Sequence, residues 1–193
     1  MKNNFNIIIT GVGGQGLITL VGIIAEAALI EGYDVKSSEL HGLSQRGGNV
    51  EVYIRFGKKV YSPLFSRGQA DLLIGLEILE GLRGSVFAGP ETNFLINKYS
   101  LPFVGGLPEK EVIEKLNKIL NKRLYLISAS SFCKEKLGKE VLGGTYILGY
   151  GVYNNLIPLK PESVLGAISK VIPEKYLEIN KEAFNLANIR PVA

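Results

Sequence analysis

The chain alternates between short apolar runs and longer helical patterns. Residues 5–10 form a short apolar run that ends in glycines, which predicts a central parallel strand covered on both faces. Residues 17–30 are apolar nearly all round, so we expect a helix of about four turns, covered by the sheet and by another subunit. Residues 33–36 predict a second strand. A loop rich in glycine and polar side chains is predicted to follow over residues 38–48.

The middle of the chain contains four more predicted strands. Residues 50–56 alternate polar and apolar side chains, which predicts a strand with one polar face. Residues 60–63 are predicted to complete a hairpin with this strand. Two buried strands are expected at residues 71–76 and 94–96, joined through a short helix that begins near Glu77.

Helices dominate the second half of the chain. The apolar positions of residues 109–122 recur at helical spacing and form one stripe on a charged helix. Residues 124–127 predict the strand that follows. Four more helices are expected at residues 131–136, 144–154, 162–171 and 174–187.

Strands that alternate with helices predict an α/β fold. The expected architecture is a doubly wound, mostly parallel, Rossmann-like sheet with a helical C-terminal segment. The chain has 193 residues, about the length of one domain. We find no internal repeat and no linker in it, so we predict a single domain over residues 1–193.

Composition narrows the chemistry. The formal net charge is +4, with Lys and Arg scattered among acidic residues, so no basic block indicates a nucleic-acid partner. The chain has one cysteine, Cys133, and one histidine, His41. These two side chains cannot ligate an iron–sulfur cluster or close a structural zinc site. Redox chemistry would therefore need a bound cofactor or another chain, and we expect Cys133 to be packed inside a helix.

No charged residue stands between Lys2 and Glu26. Glycines in the middle of this stretch would expose backbone that a membrane helix has to hydrogen-bond. The apolar run before them is too short for a secretory signal. We therefore expect a buried strand, turn and helix, no membrane contact and a cytoplasmic protein, which the lack of any cysteine pair also suits.

The sharpest local motif is GVGGQG, which places Gly11, Gly13 and Gly16 at the spacing G-x-G-x-x-G between a predicted strand and a predicted helix. Glycine lets the backbone approach an anion, and a helix N-terminus attracts negative charge. The motif therefore predicts phosphate or cofactor contact by this turn, with Gly14 and Gln15 included. A tight strand-to-helix crossing without a ligand explains the same glycines.

A dinucleotide would also need an acidic residue about 20 residues further on, at the end of the second strand. Asp34 lies too early in that predicted strand, and Glu39 lies in the predicted loop. This weakens a plain NAD-binding interpretation.

The loop after the second strand is the other candidate site. It contains SELHGLSQRGG, and in a doubly wound fold it leaves the carboxyl end of a strand, where ligands bind. Arg46 is suited to hold a carboxylate or phosphate through two hydrogen bonds. His41 is either a hydrogen-bonding brace or a catalyst. The other candidates for cofactor binding in this loop are Ser44, Gln45, Gly47 and Gly48.

Motifs spread over most of the chain resemble one known family. The segments concerned are GVGGQG, SELHGLSQRGGNVEVYIRFG, VYSPLF and ADLLIGLEILEGLR. They are similar to the γ-type domain of the 2-oxoacid:ferredoxin oxidoreductases, in the form found as the β subunit of indolepyruvate ferredoxin oxidoreductases. The run HGLSQRGG together with SPL is specific to that form. One departure is Thr145, where the family more often has asparagine.

The resemblance implies a reaction shared with other subunits. In this family an arylpyruvate, CoA and oxidised ferredoxin give arylacetyl-CoA, CO₂ and reduced ferredoxin, a step of aromatic amino-acid catabolism. Thiamine diphosphate, Mg²⁺ and iron–sulfur clusters are then expected on a larger α subunit. This chain has no Gly-Asp dipeptide of a thiamine diphosphate site and too few cysteines for clusters. The resemblance therefore implies a chain that is inactive alone and works in a hetero-oligomer with ferredoxin as electron acceptor.

Within that complex, the glycine turn and the following loop are expected to lie together at the strand ends and to face the α subunit. Gln15, His41, Gln45 and Arg46 would then orient the CoA phosphates or the substrate carboxylate, or both segments only shape the interface. Two other functions stay open. One is the γ subunit of another 2-oxoacid:ferredoxin oxidoreductase, and the other is a stand-alone dinucleotide-binding protein.

Overall fold

A computed structural model describes residues 4–42, 47–101, 106–120 and 123–188. Within them, six strands form one sheet in the order β2-β3-β1-β4-β5-β6. The strands are β1 (Asn4–Val12), β2 (Asp34–His41), β3 (Asn49–Gly57), β4 (Ala70–Gly75), β5 (Ala88–Asn97) and β6 (Leu124–Ile127).

Helices cover both faces of the sheet. On one face, α1, α4, α5, α6 and α7 enclose the larger apolar core, and on the other face α2 and α3 enclose a smaller one. The helices are α1 (Leu17–Ile30), α2 (Ile78–Gly84), α3 (Glu109–Leu120), α4 (Ala129–Leu137), α5 (Gly143–Tyr153), α6 (Pro161–Val171) and α7 (Glu174–Leu186).

The sheet is mostly parallel, which confirms the predicted fold class. The pairs β1–β4, β4–β5 and β5–β6 are parallel, and β3 is antiparallel to both β1 and β2. From β1 the chain crosses to one face through α1, and from β4 it crosses to the other face through α2. The carboxyl ends of β1 and β4 are therefore the point where such a fold opens a crevice for ligands.

The predicted hairpin between residues 50–56 and 60–63 is wrong. β3 instead pairs with β2, with Ser38 opposite Tyr53 and His41 opposite Val50. The backbone of residues 60–64 is hydrogen-bonded by side chains instead of by a strand. The Asp34 carboxylate accepts a hydrogen bond from Val60 N at 2.8 Å. The Arg55 guanidinium donates to the carbonyl oxygens of residues 62 and 64.

The predicted loop also begins too early, because residues 38–41 belong to β2 rather than to the loop. These residues alternate little in polarity and lie on an edge strand, so the sequence carries no periodic signal for them. Their strand conformation comes from the backbone ladder to β3, which is a long-range contact.

Helix α1 occupies the predicted residues and has neighbours of the same chain on two sides. It packs against the sheet and against α6, where Lys170 Nζ lies 2.6 Å from Glu26 Oε1 and Gly22 lies close to Val171. Ile18 and Leu29 remain more than half exposed. Helix α6 thus covers part of α1, and cover of the exposed apolar side chains by another subunit stays a prediction. Among the described residues, no helix is both long enough and apolar enough to span a membrane.

Candidate functional site

The glycine turn joins β1 to α1 at the carboxyl edge of the sheet. Gly14 has φ 103° and Gly16 has φ 81°, a region that L side chains rarely adopt. A Cβ atom at either position would meet no atom within 4 Å, so both residues border open space. Gly16 is the N-cap of α1, no side chain caps this helix, and its first turn has no acidic residue. The N-cap residue therefore offers no side-chain acceptor to the first backbone amides of this helix.

Two other residues of the motif hold the turn in shape. A Cβ atom at Gly11 would lie 2.8 Å from Gln15 Oε1 and 3.2 Å from Leu76 Cβ, so only glycine fits there without displacing neighbours. Gln15 Oε1 accepts a hydrogen bond from Val12 N at 2.8 Å, and Gln15 Nε2 donates to the Leu76 carbonyl at 3.3 Å. Gly11 and Gln15 therefore shape the tight strand-to-helix crossing in this structure.

The end of the second candidate segment lies against the turn. Gly13 N donates to Gly48 O at 2.9 Å, and Gly47 N donates to Gly13 O at 3.4 Å. The structure thus brings the two predicted segments together at these residues. His41 ends β2, while Ser44, Gln45 and Arg46 lie outside the described residues.

A cavity of about 250 Å³ opens beside the turn. Its walls include Gly13, Gly14 and Gln15 from the turn and Gly144 from the start of α5. Its polar side chains come from three separate segments and were missed by sequence reasoning; they are Asn97, Tyr99, Ser130 and Glu140. Sequence position could have indicated two of them. Asn97 and Ser130 both follow predicted parallel strands, and the carboxyl ends of such strands meet at one edge of the sheet.

The polar wall is held by a buried network. Asn97 Nδ2 donates to the Leu76 carbonyl at 3.1 Å and to Ser130 Oγ at 2.8 Å, while Asn97 Oδ1 accepts from Ser130 N at 3.2 Å. Every polar atom of the Asn97 side chain therefore has a partner. The Leu76 carbonyl also accepts from Gln15, so this network is continuous with the glycine turn.

The rim of the cavity carries titratable groups. Tyr99 OH donates to Glu140 Oε1 at 3.5 Å, and Lys134 Nζ lies 3.4 Å from Glu140 Oε2. Burial raises the pKa of Tyr99, and the negative charge of Glu140 raises it further. Tyr99 therefore stays a neutral hydroxyl at neutral pH.

A second cavity of about 470 Å³ adjoins the first and shares Gln15, Val141 and Gly144 with it. Its other walls are largely apolar, and Lys139 lies at its edge with Nζ 5.1 Å from the ring centre of Tyr176. The departure at Thr145 is accommodated here, since its hydroxyl donates to Asn180 Oδ1 at 2.9 Å.

The described residues contain no group of three or more His, Cys, Asp or Glu side chains placed to hold a metal ion. Cys133 is fully buried, and burial raises the pKa of its thiol to about 11. It is a packed apolar side chain at neutral pH, not a nucleophile.

The strand order argues against dinucleotide binding. In that motif the ribose acid ends the strand adjacent to the glycine strand, but here β3 lies between β1 and β2. Two strand spacings of roughly 4.8 Å each therefore separate the end of β2 from the turn. Glu39 is exposed on β2, and Asp34 is engaged at the opposite end of that strand.

Comparison with known proteins identifies the class of protein. Residues 6–188 match the pyruvate ferredoxin/flavodoxin oxidoreductase family, and the chain belongs to that family. It is 36% identical to the indolepyruvate oxidoreductase subunit IorB of Archaeoglobus fulgidus, over 94% of this chain and 92% of that protein. It is 31% identical to the pyruvate/ketoisovalerate oxidoreductases common subunit gamma of Pyrococcus abyssi, over 93% and 95% of the two chains. The predicted resemblance is confirmed.

A solved structure shows the same fold. The 2-oxoglutarate:ferredoxin oxidoreductase from Magnetococcus marinus, with 2-oxoglutarate, coenzyme A and succinyl-CoA bound, superimposes with a TM-score of 0.74 at 19% identity. The match covers 98% of this chain but 31% of that longer chain.

Proposed function

We propose that this chain is the smaller, cofactor-free subunit of an indolepyruvate ferredoxin oxidoreductase, which converts arylpyruvates oxidatively to arylacetyl-CoA. The observation that carries this proposal is the similarity to the Archaeoglobus fulgidus subunit, which spans nearly the whole of both chains. The fold and the open cavity at the carboxyl edge of the sheet are consistent with it.

The proposal assigns the redox chemistry to partners. One cysteine and one histidine cannot supply the ligands of an iron–sulfur cluster, and the described residues offer no metal-binding group. Thiamine diphosphate, Mg²⁺ and the clusters therefore belong to a larger α subunit. Ferredoxin accepts the electrons of the complex, and the complex works in the cytoplasm.

The glycine turn is proposed to contact the phosphates of CoA. Open space at Gly14 and Gly16, uncapped amides of α1 and the absence of an acid in its first turn support an anion there. The Magnetococcus marinus enzyme, whose fold is similar, binds CoA. Gly13, Gly47 and Gly48 would add backbone to the same surface, and Arg46 and His41 are the proposed side-chain contacts.

A matched pair of glycine substitutions tests the turn. Gly16 has φ 81° and Gly32 has φ 79°, and a Cβ atom at either meets nothing within 4 Å. Gly16→Ala and Gly32→Ala should therefore cost similar stability, about 1–2 kcal/mol. In the assembled enzyme, we expect only Gly16→Ala to raise the KM for CoA, several-fold or more. Equal KM values for both variants would remove the turn from the CoA site.

Arg46→Ala tests the side-chain contact. We expect a higher KM for CoA or for the 2-oxoacid while the complex stays assembled, because a guanidinium that binds an anion is lost. An unchanged steady-state profile would exclude Arg46 from the site.

A second candidate is the γ subunit of an oxidoreductase for another 2-oxoacid, which the similarity to the Pyrococcus abyssi subunit favours. Steady-state rates of the complex with indolepyruvate, pyruvate and 2-oxoglutarate separate the two. A kcat/KM highest for indolepyruvate supports the first candidate, and a preference for an aliphatic 2-oxoacid supports the second.

A further inference from the structure

A third pocket, of about 420 Å³, lies at the same edge of the sheet but on the side of α2. Its walls include Val12 and Gly47 beside the glycine turn, Glu77 at the N-cap of α2, and Glu80 and Arg83 within that helix. We call it the acidic pocket. It neighbours the first cavity, since Leu101 lines both.

One carboxylate oxygen of the acidic pocket is without a partner. Glu80 is 4% exposed, and its Oε1 pairs with Arg83 Nη1 at 2.6 Å. Its Oε2 is buried and accepts no hydrogen bond among the described residues. A buried, unpaired carboxylate oxygen is costly, so it is retained where a ligand satisfies it or at a loss of stability.

The surrounding groups do not neutralise this charge. Glu77 is also buried, and its carboxylate accepts from Glu80 N at 2.8 Å and Leu101 N at 3.4 Å. Among the described residues, the pocket walls thus carry two carboxylates against one guanidinium, that of Arg83, which is half exposed at the rim. Burial raises the pKa of Glu80, and the charges of Glu77 and Glu51 raise it further, while Arg83 lowers it. Glu51 stands opposite Thr10 in the ladder between β3 and β1.

The other unpartnered buried side-chain oxygen among the described residues faces the same helix. Thr10 Oγ1 has no partner, and the Thr10 side chain packs against Gly84 of α2. By contrast, the side chain of Asn97 at the same edge of the sheet is fully paired. The two unpaired buried oxygens in the described part of the chain, Thr10 Oγ1 and Glu80 Oε2, therefore both lie on the α2 side of the sheet.

We propose that the acidic pocket receives a basic side chain of the larger subunit, whose ammonium or guanidinium group pairs with the carboxylate of Glu80. The inference rests on the proposed function, because the occupant belongs to the α subunit. The charge of the pocket selects a cation, and its continuity with the glycine-turn surface places that cation beside the proposed active-site interface.

The test compares Glu80→Gln with a surface control of the same chemistry, Glu91→Gln, whose carboxylate pairs with Arg123 in solvent. Two quantities are measured for each variant: the dissociation constant of its complex with the larger subunit, and the urea midpoint of the isolated full-length chain. Glu80→Met serves as a second variant that removes the charge without adding donors.

We expect both Glu80 variants to raise the dissociation constant at least about tenfold while leaving the urea midpoint unchanged or higher. Glu91→Gln should change neither quantity. A lower midpoint with unchanged affinity would show that a cation of the same chain already satisfies Glu80, and would overturn the proposal. If the wild-type chain does not bind the larger subunit, the proposed function fails together with this inference. Wild-type binding that Glu80→Gln leaves unaltered overturns the inference alone.

Discussion

Two strand-to-helix connections stand next to each other at the carboxyl edge of the sheet and differ in charge. The connection from β1 to α1 has no charged residue, no side-chain cap and open backbone at Gly14 and Gly16. The connection from β4 to α2 begins with Glu77, whose carboxylate caps the helix, and buries Glu80 one turn later. The same position in the fold therefore offers backbone donors on one strand and carboxylate acceptors on the next.

The two connections are joined through the backbone of residue 76. Leu76 N donates to Thr10 O at 2.8 Å, and the Leu76 carbonyl accepts from both Gln15 and Asn97. One rigid edge therefore supports two surfaces of opposite electrostatic character. This division teaches that the fold fixes where ligands meet the sheet, while a few side chains decide which charge each site prefers.

The largest effect on stability is expected from removing Asn97, which links the backbone of Leu76 to Ser130. Asn97→Ala should lower the free energy of unfolding by about 3 kcal/mol, because buried Ser130 N and Oγ lose their bonds to Asn97 and the Leu76 carbonyl keeps only the longer bond from Gln15. Urea denaturation measures this loss. Asn154→Ala removes an exposed amide that bonds only to Tyr150 O, and should cost about 0.5 kcal/mol or less. Similar losses for both variants would contradict the role given to the network.

The next effect concerns the uncharged connection. Gly11→Ala should cost about 2 kcal/mol, because its methyl group would crowd Gln15 Oε1 and Leu76 Cβ. Gly22→Ala is the matched control, because it adds a methyl group inside α1 where Val171 Cγ1, the end of a side chain, is the only near atom. Unfolding midpoints of the two variants should differ clearly. A Gly11→Ala variant as stable as the Gly22→Ala variant would mean that the turn tolerates a side chain.

The smallest expected effect is the pH dependence of stability that Glu80 causes. Burial and nearby carboxylates raise the pKa of Glu80 above its ordinary value of 4.5. The native state therefore holds this proton more tightly than the unfolded chain, and the resulting stability is present below about pH 4.5. It is lost as pH rises through the raised native pKa.

Urea unfolding of the isolated chain from pH 4 to pH 8 measures this dependence. The free energy of unfolding of the wild type should fall relative to that of Glu80→Gln as pH rises, whereas Glu91→Gln should follow the wild type. A wild type that gains stability relative to Glu80→Gln with rising pH would indicate a paired carboxylate.

Local patterns predicted the connection from β1 to α1 well. The apolar run, the glycine spacing and the helix 17–30 are all encoded within the first 30 residues. The pairing of β2 with β3 was missed because it depends on a backbone ladder and on contacts such as that of Asp34 with Val60, 26 residues apart. The cavity wall was missed for the same reason, since Asn97 and Ser130 meet only once the parallel strands are in register. Glu77, Glu80 and Arg83 are charges at or within a short helix, and only the structure shows that one of their carboxylate oxygens is buried without a partner among the described residues.

The central claim is that this chain is a necessary subunit without redox centres of its own. The direct test is the rate of ferredoxin reduction with indolepyruvate and CoA, measured for this chain alone, for the larger subunit alone and for their mixture. We expect no reduction by this chain alone and full activity only in the mixture. Activity of the larger subunit that this chain does not change, together with saturable micromolar binding of NAD(P)H by the isolated chain, would contradict the claim and favour a stand-alone dinucleotide-binding protein.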